Sequence, residues 1–116
     1  MDKKSKGDLA ELKACDFLQS NGLQLIIRNY RCKHGEIDLI MIDKTEIVFI
    51  EVRSRSREDY GYAEETVDRH KQKKLLHSAM HFLQEIDHLD TFDCRFDVIG
   101  FLNNKIEWIK NAFIYE

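Results

Sequence analysis

Glu36-Ile37-Asp38-Leu39-Ile40-Met41-Ile42, then Asp43-Lys44-Thr45-Glu46, then Ile47-Val48-Phe49-Ile50-Glu51-Val52-Arg53, is the stretch that decides the fold. Two Ile/Val-rich runs flank a short polar connection, which predicts two strands joined as a hairpin. Both runs are apolar on both faces, so they read as central, covered strands. The connection sets the register: Ile42 faces Ile47, Ile40 faces Phe49, and Asp38 faces Glu51. Side chains alternate along a strand, so this register points two carboxylates the same way from neighbouring strands. Directly opposed like charges are destabilising, and under cover both cannot stay ionised unaided. A divalent cation between them resolves both problems, and hard carboxylate oxygens suit Mg²⁺ or Mn²⁺. The competing explanation is a structural ion-pair cluster through Arg53, which the same register sets opposite Glu36.

Outward from the hairpin, the pattern before it reads as a helix from about Gly7 to Ser20, with Leu9, Leu12, Cys15 and Leu18 as its stripe. Asn21-Gly22 ends it, and Leu23 to Tyr30 reads as a strand. After the hairpin comes a polar loop, Ser54 to Tyr62. A long helix follows from Glu65 to about Asp87, with Leu75, Ala79, Phe82, Leu83 and Ile86 on one stripe. Strands Cys94 to Phe101 and Ile106 to Ile109 close the order α-β-β-β-α-β-β. That order predicts a small α/β fold, a mixed central sheet flanked by two helices.

The 116 residues fit one domain spanning 1–116. Hydrophobic residues make up 43% and charged residues 34%, which excludes a disordered class. No apolar run approaches the roughly 20 residues of a membrane span, and the basic start Lys3-Lys4-Ser5-Lys6 lacks a signal-peptide core. A cytoplasmic location without membrane contact is the expectation. Three widely spaced cysteines and no CxxC pair suggest neither a disulfide framework nor a structural zinc site. A net charge of −3 disfavours coating nucleic acid through bulk positive charge, but leaves room for one local basic patch.

Three further polar residues interrupt apolar patterns. Glu11 precedes Ala14, Cys15 and Leu18 by three, four and seven residues, which sets it on the buried stripe of the first helix. Gln72 extends the stripe of the long helix back toward the loop after Glu51, with Lys71 at its edge. Arg53, two residues after Glu51, shares its strand face. A fixed guanidinium there suits a phosphate, and its permanent charge makes it a poor general base.

Gly35-Glu36-Ile37-Asp38-Leu39-Ile40 with Val48-Phe49-Ile50-Glu51-Val52-Arg53-Ser54-Arg55 resembles the bacterial YraN family. Tyr60-Gly61, Lys71-Gln72, Arg95-Phe96-Asp97-Val98 and Glu107-Trp108-Ile109-Lys110-Asn111-Ala112-Phe113 extend the likeness over nearly the whole chain. The resemblance implies the restriction-endonuclease-like PD-(D/E)XK superfamily, near the archaeal Holliday-junction resolvases, with an αβββαβ core. By motif, Asp38 matches the metal-binding aspartate, Glu51 the acidic residue of the triplet, and Glu11 the first-helix glutamate. Two positions depart from the pattern: Arg53 stands where lysine is usual, and Ala10 where glycine is usual. Lys71, across on the long helix, is the candidate to supply the missing ammonium.

The implied activity is metal-dependent hydrolysis of branched or structured DNA. Asp38, Glu51 and Glu11 would hold Mg²⁺ or Mn²⁺, Arg53 or Lys71 would orient water or phosphate, and Gln72 would steady one of those groups. Arg55, Arg57, Arg69, Lys73 and Lys74 are the candidate phosphate contacts. A homodimer follows from the same analogy. The alternative is a non-catalytic nucleic-acid-binding or partner-docking module with a degenerate site, which Arg53 favours. His77 and His81 stand at i, i+4 with His88 beyond, but with no further ligand evident in the sequence they read as exposed helical residues. Cys15 and Cys94 read as core residues, and Trp108 as packing.

Overall fold

The computed structural model describes residues 3–55, 67–86, 93–103 and 105–113. Helix α1 (Lys3–Ser20) leads into β1 (Gln24–Cys32), β2 (Gly35–Asp43) and β3 (Glu46–Arg55); α2 (Arg69–Glu85) then leads to β4 (Asp93–Leu102) and β5 (Lys105–Ile109). The strands form one mixed sheet in sequence order, antiparallel except for the β3–β4 pair. A parallel neighbour needs a crossover, and α2 lies on that connection. The α-β-β-β-α-β core with one added C-terminal strand is as the motif order implies. Among the described residues, no helix is long and apolar enough to cross a membrane.

Each helix covers one face of the sheet. Ala14, Cys15 and Leu18 of α1 pack with Leu39, Met41, Val48, Ile50 and Ile99. Leu75, Ala79, Phe82 and Leu83 of α2 pack with Ile40, Ile47, Phe49, Phe96 and Val98 on the other face. β2 and β3 are therefore covered on both sides, as their continuous apolar runs required.

The stripe of α1 differs from the expected one. Leu9 and Leu12 are 43% and 44% exposed, whereas Glu11, Ala14, Cys15 and Leu18 are buried. A strict three-residue repeat drifts around a helix of 3.6 residues per turn, so only its later members stay with the sheet. The helix also starts at Lys3, which makes the basic arm its first turns. Cys94 is exposed, near the start of β4 and short of the covered part of the sheet. Helix α2 begins at Arg69; the expected start at Glu65 lies outside the described residues, as does Arg57. Asp68 caps α2 by accepting from Lys71 N at 2.8 Å.

A polar cluster ties together the hairpin end of the sheet. Asp97 is only 1% exposed. Its carboxylate accepts from Arg95 Nε at 3.0 Å, Trp108 Nε1 at 3.0 Å and Asn111 N at 2.9 Å. Arg95 also reaches Glu46 at 2.8 Å and Asp43 at 2.9 Å. Strands β2, β3 and β4 meet through one guanidinium. Trp108 makes an edge contact with Phe17, so it packs and donates a hydrogen bond.

Candidate metal centre

The hairpin register runs as the connection length dictates, from Asp43↔Glu46 through Ile42↔Ile47 and Ile40↔Phe49 to Leu39↔Ile50. There the ladder stops. β2 goes on pairing with β1 as far as Cys32↔Gly35, and β3 with β4 as far as Arg55↔Leu102. The sheet forks, and Asp38 stands at the split.

The fork has a local cause. Ile37 belongs to the core under α2, whereas Leu39, two residues on, belongs to the core under α1. Strict alternation would put them on one face, so β2 loses its phase at Asp38. On the neighbouring strand the pairs Arg28↔Leu39 and Tyr30↔Ile37 bracket Asn29, whose φ is 54°. Asparagine tolerates this left-handed region better than a branched residue does. Asp38 therefore turns into the plane of the sheet, where its Oδ2 accepts from the Val52 amide at 2.8 Å. That amide is the donor the opened ladder leaves over.

Glu51 remains on the α2 face, 5% exposed, with Lys71 Nζ and Arg53 Nε 3.7 and 3.6 Å from its Oε1. Both distances exceed a good charge-assisted hydrogen bond. Glu51 Oε2 is buried with no hydrogen-bond partner. Glu11 descends from α1, 8% exposed, and ligand oxygens of Glu11, Glu36 and Asp38 all lie within 4.8 Å of one another. Asn29 holds this group from the edge. With its amide nitrogen turned toward the acids, it donates to Glu11 Oε2 at 2.9 Å, Glu11 Oε1 at 3.0 Å and Glu36 Oε1 at 3.2 Å. Arg31, opposite Glu36 on β1, pairs with it at 3.4 Å, so Glu36 finds its cation there. The Gln72 amide donates to the Val67 carbonyl at 3.0 Å, bracing the entry to α2 one residue after Lys71. Arg69, Lys73 and Lys74 are exposed along the first turns of α2, and Arg55 closes β3.

The cluster is electrostatically unsatisfied. Burial, then the Asp38 charge, push the Glu51 carboxyl up to about 7, against the opposing pull of Lys71 and Arg53. Burial, then Asp38, push Glu11 up to about 7 as well. Asp38 is also raised, chiefly by burial, although the Val52 amide works the other way. Carboxyls of this kind share protons when no cation is present.

A group whose folded pKa lies above its ordinary value of 4.5 binds its proton more tightly in the folded state. Its cost to stability is absent at low pH, grows as pH rises from about 4.5 toward 7, and is complete above that. Glu51→Gln is therefore expected to stabilise the metal-free protein by on the order of 1–2 kcal/mol at about pH 8. It should also flatten the dependence of the thermal midpoint on pH across that window. Calorimetry over a pH series checks both. A Glu51→Gln variant less stable than its parent at high pH would show that Glu51 is satisfied after all.

The donor set fits a hard divalent ion. It consists of the clustered oxygens of Glu11, Glu36 and Asp38, with the buried, unpaired Glu51 Oε2 beside Asp38 and outside that group of three. Of the three carboxylates expected from the sequence, Asp38 and Glu11 belong to this group and Glu51 stands beside Asp38 but outside it, while Glu36 and Asn29 join it unannounced. The signal for Asn29 was an asparagine inside a strand pattern, where that residue is depleted.

The profile of the uncharacterised protein family UPF0102 matches residues 10–101 of this chain. The chain belongs to UPF0102. A UPF0102 protein of Pseudomonas putida strain KT2440 is 44% identical over 112 residues, covering 92% of this chain and 90% of the relative. Another, from Coxiella burnetii strain RSA 493, is 47% identical over 108 residues, with 92% and 90% covered. A third, from Saccharophagus degradans, is 47% identical over 107 residues, with 92% and 91% covered. The YraN-like motifs thus belong to a UPF0102 chain, and its carboxylate fork lies wholly within the matched segment.

Proposed function

We propose that this UPF0102 protein is a divalent-metal-dependent nuclease, of the restriction-endonuclease-like kind, acting on branched or structured DNA. The observation that carries the reading is the buried, unpaired Glu51 Oε2 beside Asp38 in the fork of the sheet. A fold has little reason to gather buried like charges unless something absent completes them. The αβββαβ order and the motif resemblance support the same class.

Asp38, Glu51 and Glu11 would hold Mg²⁺ or Mn²⁺, with Glu36 as a fourth oxygen donor. The ion, when bound, supplies an acidified water and neutralises phosphate charge. Lys71 and Arg53 approach the same carboxylate from α2 and β3, so either can orient a phosphate oxygen at the fork. Gln72 fixes the helix entry from which Lys71 reaches inward. Arg69, Lys73 and Lys74 crowd the N-terminal half of α2, where the helix dipole favours anions over cations. Their placement is poor for the helix alone and good for a phosphate backbone. A symmetric dimer on a two-fold substrate belongs to this reading. The exposed Leu25, Ile26 and Ile27 of edge strand β1 offer it apolar surface.

The test is incubation of purified protein with four-way junction, flap and linear duplex DNA, with Mg²⁺, Mn²⁺ or EDTA. Metal-dependent cleavage of the structured substrates is expected. Salt-sensitive binding without cutting under any metal would instead support a non-catalytic module, in which Arg53 and Lys71 neutralise Glu51 permanently. Replacing Arg69, Lys73 and Lys74 together with Ala should reduce the slope of log K against log salt by about 2–3. Fluorescence anisotropy across a salt series reads that slope, and an unchanged slope would remove α2 from the interface.

A further inference from the structure

The β1–β2 turn brings His34 against the exposed side of α2. Its ring centre lies 5.5 Å from that of His77 and 5.9 Å from that of His81. His77 and His81, one helical turn apart, share a face. The three rings, with Met80 and Gln84, line a pocket of about 180 Å³ that opens to solvent. His34 brings a third imidazole to the helical pair, although the ring nitrogens of the three do not all stand within 4.8 Å of one another.

We propose that His34, His77 and His81 form a second metal site, selective for a borderline transition-metal ion such as Zn²⁺ or Ni²⁺. Imidazoles suit such ions, whereas the carboxylate fork suits hard ones. Two imidazole nitrogens about 2.0–2.1 Å from one tetrahedral ion put their ring centres roughly 5 Å apart, only slightly closer than these rings stand. The terminal torsion of histidine is broad, so these partly exposed rings can turn their nitrogens inward at little cost. His81 already has a carboxylate partner. Its Nε2 lies 2.9 Å from Glu85 Oε1, the carboxylate–histidine arrangement that fixes a metal-binding ring and leaves Nδ1 with its lone pair. Three ligands leave the remaining positions to water.

The site joins the β1–β2 turn to α2. Gly35 follows His34 directly with φ of +144°, and a Cβ there would sit 3.6 Å from Ser78 Oγ and 3.8 Å from Lys74 Cβ. Those are ordinary contact distances, so it is the backbone angle, rarely adopted by residues with a Cβ, that calls for glycine in this turn. An ion at the three histidines would clamp the turn that leads into Glu36 and Asp38.

The test uses the full chain without an affinity tag, titrated with Zn²⁺ by calorimetry in excess Mg²⁺, which competes for hard-oxygen donors and not for imidazoles. One Zn²⁺ per chain is expected. His34→Ala should weaken it by at least about tenfold, and His77→Ala likewise, while Asp38→Asn leaves it unchanged. In imidazole ¹⁵N spectra, His34, His77 and His81 should shift together, and His70 and His88 should stay in place. Absence of Zn²⁺ binding, affinity indifferent to both histidine variants, or affinity lost with Asp38→Asn would overturn the site.

Discussion

Asp38→Asn should lower metal-dependent cleavage of a four-way junction by on the order of 10²–10³-fold, while the thermal midpoint stays at or above that of the parent. The amide keeps the size of the carboxylate and still offers an oxygen to the Val52 N–H at the mouth of the fork. What it removes is the negative charge that, after burial, does most to raise both Glu11 and Glu51. A structural role would show the opposite pattern, with stability lost and any activity falling only in proportion. Gel assays alongside calorimetry separate the two, and cleavage at the parent rate would strip Asp38 of its role.

At the other end of the sheet the expectation reverses. Arg95→Met should destabilise the fold by about 3–5 kcal/mol, because it leaves buried Asp97 without its cation and sets Asp43 and Glu46 beside it. For a domain of this size that is a fall in thermal midpoint of roughly 10 °C or more. Denaturant and thermal unfolding measure it. The contrast with Asp38 is physical: each oxygen of the Asp97 carboxylate accepts hydrogen bonds, whereas the fork holds a buried carboxylate oxygen that has none. The fold satisfies every oxygen of one acidic group and leaves one buried oxygen of the other without a hydrogen bond. A loss within about 1 kcal/mol would mean that Trp108 and the Asn111 amide suffice to hold Asp97.

The hairpin was legible in the sequence because a short connection allows few registers, and that register runs through Ile40↔Phe49 as expected. The burial of Glu11 was legible from its spacing to Ala14, Cys15 and Leu18. The fork was not. Continuous alternation set Asp38 face to face with Glu51, but the left-handed backbone at Asn29 on the next strand accompanies a break in phase that period-two reading cannot carry. The same break explains why Glu36 joins Glu11 and Asp38 rather than Arg53. His34 escaped notice because its neighbours are tertiary, brought together only when α2 packs across the β1–β2 turn.

The most direct measurement is anomalous scattering from crystals soaked in Mn²⁺. A peak in the fork, within coordination distance of carboxylate oxygens of Asp38 and at least one of Glu51 and Glu11, is the result this account requires. A map without that peak, in which Lys71 and Arg53 close onto Glu51 and fill the fork, would contradict it.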